Sequence, residues 1–418
     1  MLLPKYLLFA CLIGFVLLLF TACAPQGDAV GGVNTGLSTP VDISLPTSLP
    51  TASQTPTVTV TPAVTATKRP TKTATFAPNL ELNAPCISYH DKTVQSLKLA
   101  CLQRTSWFIE VVDRGNAGKF SSLAFDHKNN PHISYYHEGQ QALMYATKRQ
   151  DQWIFEMVDA NDLTGLYPSL ILDGNDQPLI AYYDKGNGTV NFARKVDQEW
   201  NIQVVDQVGA NSDPKAQEYV MPSLELQNGT PVISYLDFEQ SVLKFARNNG
   251  SNWEVTIIDP KSKAGSFSSL AVDPSGRPWI SYYDLNRGDL KIAHLAAQGW
   301  VSETVDSKNE VGAFTSLVID SSGNPVISYF DDDRDDLKIA RWTGNQWLIE
   351  LVDTYNSTGM FTSLALDENE TLYIAYFYYY EKDLRLAVGR SSDWEVYSVD
   401  TTGDVGFYPS IAFNFKLD

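Results

Sequence analysis

Hydrophobic positions along this chain fall in short runs separated by turn-forming residues. Gly312–Asp353 shows the pattern: FTSLVID, PVISYF, LKIA and WLIELVD are four runs rich in β-branched and aromatic residues. None carries the 3.6-residue period of a helix, so the unit predicts four short strands. Between the first two runs, Asp320 can bond its own backbone, Gly323 supplies a positive φ, and Pro325 opens the next strand. In the first run Phe314, Ser316 and Val318 share one face and Leu317 and Ile319 the other, so both faces are largely apolar. A two-layer sandwich leaves one face wet. A blade flanked by a neighbour on each side does not.

The unit recurs. Ser122-Leu123, Ser169-Leu170, Ser223-Leu224, Ser269-Leu270, Ser316-Leu317, Ser363-Leu364 and Ser410-Ile411 are spaced by 46 or 47 residues, apart from one step of 54. Trp107, Trp153, Trp200, Trp253, Trp300, Trp347 and Trp394 keep step with them. So do Ala100 to Ala387, and a closing acid from Asp113 to Asp400. A period of this length marks a propeller or solenoid. The repeat region opens in mid-unit near Asn83, with PCISYH, LKLA and WFIEVVD, and closes on GFYPSIAF, which resembles a first strand alone. These fragments make one blade, so the expectation is an all-β, seven-bladed β-propeller of four-stranded antiparallel blades over residues 80–418. Its C-terminal strand completes the N-terminal blade. Cys86 and Cys101 then face each other across a hairpin bending at Lys92–Gln95, which predicts a disulfide in an exported protein.

Export is suggested by the other end. Lys5 precedes an apolar run from Tyr6 to Phe20 that is shorter than the roughly 20 residues of a membrane span and is followed by Thr21-Ala22-Cys23. LFTAC resembles a bacterial lipobox, with Phe20 where Leu is usual, so residues 1–22 read as a signal peptide and Cys23 as the lipidated mature N-terminus. Residues 23–79, dominated by Thr, Pro, Ser, Ala and Val, read as a disordered linker. In the polyproline II limit it would reach on the order of 170 Å. The protein is thus expected in the cell envelope, membrane-anchored on the extracytoplasmic side, as a monomer. A net charge of −18 argues against a nucleic-acid partner.

Residues present in every blade suit packing, whereas a binding site needs one place. Three departures are predicted on the face carrying the second-to-third and fourth-to-first loops. The loop Asp331, Asp332, Asp333, Arg334, Asp335, Asp336 has carboxylates at the spacing of hard-cation loops. It lacks the closing Glu of an EF-hand, so a solvated charged turn is expected, with calcium as the alternative and no other cofactor. Tyr378, Tyr379 and Tyr380 in the next blade are candidates for stacking on sugar rings. The long connection Gln207–Tyr219 is the third. No HExxH, Gly-x-Ser-x-Gly, phosphate loop or CxxC pair is present, and the five histidines lack ligand spacing. No catalytic or metal-ligating residue is predicted.

The units resemble those of bacterial surface and secreted propeller proteins, SLALDSSGNPHISYYD…LKYA…W…VD, with the likeness carried by Ser316–Asp331 and Leu364–Tyr376. It covers about Asn83–Asp418 and implies the fold. Asp273–Trp279 is more faintly similar to the Asp box of sialidases, but no arginine triad accompanies it. The expected function is a surface-anchored, non-enzymatic binding module for an extracellular glycan or protein. A structural role in an envelope complex and a propeller-type glycoside hydrolase or lyase are the alternatives.

Overall fold

The computed structural model describes residues 59–60, 83–161, 163–209, 220–260 and 264–415. The expected signal peptide, Cys23 and most of the linker lie outside the described residues, as does most of the long connection after Gln207. Seven four-stranded antiparallel sheets form a seven-bladed β-propeller, with no helix among the described residues. We number the blades from the one containing Asn83–Asp91, and the strands of each blade outward from the axis. Blade 1 takes its first strand, Val405–Phe415, from the far end of the repeat region, paired with Asn83–Asp91 from Asn83↔Phe415 to Asp91↔Val405. The ring is closed as the sequence predicts. Cys86 and Cys101 are opposed in register and joined as a disulfide. Thr59–Val60 adds a parallel fifth strand to the outer edge of blade 6, at Leu348 and Ile349.

Adjacent blades bury their faces against each other. The second strands of blades 2, 3, 5, 6 and 7 are buried at every residue, which is why both sides of each run are apolar. The recurring Ser-Leu pair is a polar fastener. Each Ser Oγ accepts the backbone N–H of the next blade's Leu or Ile, as in Leu170 to Ser122, Leu224 to Ser169 and Leu270 to Ser223. The belt continues through Leu317 to Ser269, Leu364 to Ser316 and Ile411 to Ser363, and Leu123 to Ser410 closes it at 3.0 Å. One buried donor per blade is satisfied this way at every interface.

The closing acid has two tasks. One oxygen caps the following turn, as when Asp353 accepts the Tyr355 N–H. The other accepts the hydroxyl of a Tyr on the next blade's second strand: Tyr89 donates to Asp400, Tyr135 to Asp113, Tyr182 to Asp159 and Tyr235 to Asp206. Tyr282 donates to Asp259, Tyr329 to Asp306 and Tyr376 to Asp353. A third-strand Lys or Arg joins in five blades: Lys98, Lys244, Lys291, Lys338 and Arg385. The inter-blade Tyr bond gives the closing acid a second partner in every blade. The tryptophans also do more than fill space, since Trp200 Nε1 donates to Glu156 and Trp347 Nε1 to Glu303 of the preceding blades.

Alternation along the first strand fails at one point. The register against the second strand breaks between Ala313 and Ser316, and Phe314 stands there with φ 55°. Phe314 is therefore not in phase with Ser316 and Val318. Gly312 before it has φ 107°, and a Cβ there would lie 2.8 Å from the Leu290 Cα of the preceding blade. Only glycine fits such an approach.

Candidate functional site

Of the acidic loop, Asp331 and Asp336 are buried. Asp331 ends the second strand, accepts the Arg334 N–H and lies 3.4 Å from the Lys338 ammonium. Asp336 pairs with it across the hairpin, and burial together with the Asp331 charge pushes its carboxyl up to about 6. Asp333 Oδ2 accepts the Glu310 N–H. Asp332 and Asp335 are half-buried and Asp333 is exposed, so this carboxylate run is mainly a folded hairpin turn. Among the described residues, no group of three or more His, Cys, Asp or Glu side chains is placed to hold a metal ion.

The tyrosines divide similarly. Tyr378 is the last residue of the strand Leu372–Tyr378, buried, in the place held by Asp331 one blade earlier. The Arg385 guanidinium lies 3.4 Å from its ring centroid, taking the position of Lys338. Tyr379 is half-buried, and Tyr380 is 71% exposed.

Tyr379 belongs to a path of rings. It meets Phe377 edge-on at 6.3 Å, Phe377 packs on Phe407 at 4.2 Å, and Phe407 lies 6.3 Å from Phe361 and 6.2 Å from Tyr408. Phe361 and Tyr408 stand at the axis, so the path runs from the axis to the loops at the seam of blades 7 and 1. Beside it, Tyr380 approaches Tyr378, which approaches Tyr355. Lys92 stands 5.5 Å over Phe407, and Asp404 lies between Lys92 and Lys382. Phe407 occupies a position held elsewhere by Lys119, Leu166, Val220, Ser266, Ala313 and Met360, which marks it as peculiar to this seam. A comparison of the position three residues before each Ser would have found it.

At the axis, Phe120, Tyr167, Phe267, Phe314, Phe361 and Tyr408 form an iris. Neighbouring centroids are 4.0 to 4.6 Å apart. All six residues have φ between 52° and 56°. Interplanar angles of 45° to 57° scatter around the one-seventh turn, about 51°, that radial repetition imposes. Met221 takes the equivalent place in blade 4 and interrupts the ring. The iris and the serine belt line a funnel of about 240 Å³. Sequence reading missed this iris because the bulge that aims the rings inward is invisible to a strict period of two.

The histidines serve the framework. His90 bonds the Ala117 carbonyl, His127 joins Asp176 of the next blade's turn at 2.6 Å, and His132 meets the Tyr145 hydroxyl.

No protein-family model and no curated protein matches this sequence. Solved structures do match in shape. A Lactobacillus plantarum protein aligns with TM-score 0.55 and 11% identity, over 79% of this chain and 99% of its own. A functionally unknown protein from Desulfotomaculum acetoxidans gives 0.52 and 10%, over 80% and 100%. The Aleuria aurantia lectin, solved with Fucα1-6GlcNAc, gives 0.46 and 12%, over 67% and 95%. At these identities the likeness is one of fold alone: the chain is a β-propeller, similar in architecture to the first two of these proteins.

Proposed function

We propose that this protein is a surface-anchored lipoprotein whose propeller binds an extracellular glycan through the face that carries the aromatic path. Cys23 is the lipid-bearing residue and residues 23–79 are the tether. The observation behind this reading is the run of rings from Phe361 and Tyr408 through Phe407 and Phe377 to Tyr379, ending beside exposed Tyr380. Aromatic faces with a hydroxyl edge suit a ligand that is itself apolar on its ring faces and polar around its rim. The reading is of binding without catalysis. Asp331 and Asp353, buried carboxylates that end the second and fourth strands of blade 6, are tied to Lys338 and to Tyr376 and Arg385, which occupies them in the framework.

A protein partner is favoured at a different place. The outer strands of blades 1 to 4 expose Phe108, Ile154, Phe155, Met157, Ile202, Val204, Val255 and Ile257. Unpaired edge strands bearing such side chains suit assembly. A glycan array probed with the intact protein, followed by a depolymerisation assay on the same glycans, separates the readings. Array signal without depolymerisation is expected. A silent array with envelope proteins co-purifying would replace this reading with the assembly role.

A further inference from the structure

Blade 4 breaks the symmetry of the axis twice. Met221 opens the aromatic iris, and two residues beyond Ser223 stands Glu225, where the other blades carry Ala124, Ile171, Ala271, Val318, Ala365 and Ala412. Among the described residues of the seven first strands, the charged side chains are Lys119 and Glu225. Lys119 precedes the iris on its strand and is bonded to Glu138 on the loop face. Glu225 follows the iris and the belt, on the same strand face as Ser223 and about 7 Å further along the axis. Ser223 itself lines the funnel.

The funnel has two kinds of wall, and Glu225 stands past its serine end. Its floor is aromatic. Its belt is seven serines, each of which spends one lone pair on a backbone N–H and keeps a hydroxyl proton to donate. Beyond the belt stands one carboxylate at a position that is apolar in the other six blades, and its Oε2 accepts the Leu226 N–H at 3.3 Å. An ionised carboxylate so placed is stabilised most by a cation that enters with it. A volume of about 240 Å³ is below that of drug-sized pockets and suits one monosaccharide-sized molecule. The chain's net charge of −18 draws cations toward it.

We infer that the axial funnel, which shares Phe361 and Tyr408 with the inner end of the aromatic path, is a further binding site for a small amine-bearing polyhydroxy ligand whose ammonium group pairs with Glu225. Burial pushes the Glu225 carboxyl up to about 7, and an ammonium beside it would restore the charged form. The test is calorimetric titration of the intact protein at pH 7, where the amine is mostly protonated, with D-glucosamine, and with N-acetylglucosamine as the matched neutral probe. Glucosamine should bind about tenfold or more tightly than N-acetylglucosamine, and Glu225→Gln and Glu225→Ala should each lose that preference. Thermal melts of both variants establish that they fold. Equal binding of the two probes, binding of neither, or an unchanged preference in the folded variants would overturn the inference. None of these outcomes bears on glycan-array binding through the aromatic path.

Discussion

Lys338 is the best place to test the idea that the recurring polar residues fasten the blades. Its ammonium is buried between Asp306 of blade 5, at 2.5 Å, and Asp331 of its own blade, at 3.4 Å. Asp306 also accepts the Tyr329 hydroxyl at 2.8 Å. Lys338→Met would leave two buried carboxylates sharing a tyrosine hydroxyl and turn amides. Removing one member of a buried pair costs about 3–5 kcal/mol. The chain contains its own control. Blade 2 has Met144 in the lysine position and His137 in the Asp331 position, while Tyr135 still bonds Asp113. Blade 3 has Asn191 in the lysine position, and Asp184, in the Asp331 position, accepts the Asn187 amide. Loss of the lysine is therefore tolerated where the second carboxylate is removed or paired. Asp331→Asn combined with Lys338→Met should recover about 2–3 kcal/mol relative to the sum of the single changes. Denaturant melts of the four proteins at pH 7 give the cycle. A cost below about 1 kcal/mol for Lys338→Met, or additivity within about 0.5 kcal/mol, would refute the fastening argument.

Three further outcomes are expected. Gly312→Ala forces a Cβ to 2.8 Å from the Leu290 Cα at φ 107° and should destabilise by about 2–5 kcal/mol in a denaturant melt; a neutral effect would show that the blades can spread there. Replacing Cys86 and Cys101 by Ser opens a cross-link of sequence separation 15 and should cost about 3 kcal/mol, read as a shift of the melting midpoint of the oxidised protein. Because Glu225 titrates near 7 when folded and in the ordinary carboxylate range when unfolded, the folded state holds the proton more tightly. Its stabilising contribution is full below about pH 4.5 and is lost as pH rises to about 7. Wild type should lose about 1–2 kcal/mol more than Glu225→Gln across that window, allowing for the side chain's partial solvent access; parallel pH–stability curves would contradict this.

What could be read from the sequence was whatever repeats. Ser316, Ala340, Trp347 and Asp353 recur at fixed spacing, so blade number, strand count and closure by Val405–Phe415 followed from counting and from the half-units at Asn83 and Ser410. Burial was less legible. Asp331 and Tyr378 look like loop residues because they adjoin polar or aromatic runs, yet each is the buried end of a second strand. The hairpin begins one residue later than composition suggests, and a buried carboxylate beside a lysine two strand positions away leaves no local mark. The iris was hidden for a related reason. Phe120 and Phe314 sit at bulges with positive φ, where the alternating pattern of a strand misassigns the face. The aromatic path needs both kinds of information, since Phe407 departs from the repeat while its contacts with Phe377 and Phe361 depend on where that bulge aims each ring.

We place ligand recognition at the seam of blades 7 and 1. The most direct measurement is the affinity of the intact protein, beside its Tyr379→Ala and Tyr380→Ala variants, for the strongest glycan on the array. These side chains are half-buried and exposed, so folding should survive. Loss of stacking of about 1–2 kcal/mol per ring predicts affinity lower by roughly five- to thirtyfold in each variant. Unchanged affinity in both, with melting curves matching wild type, would place the ligand elsewhere and contradict the account.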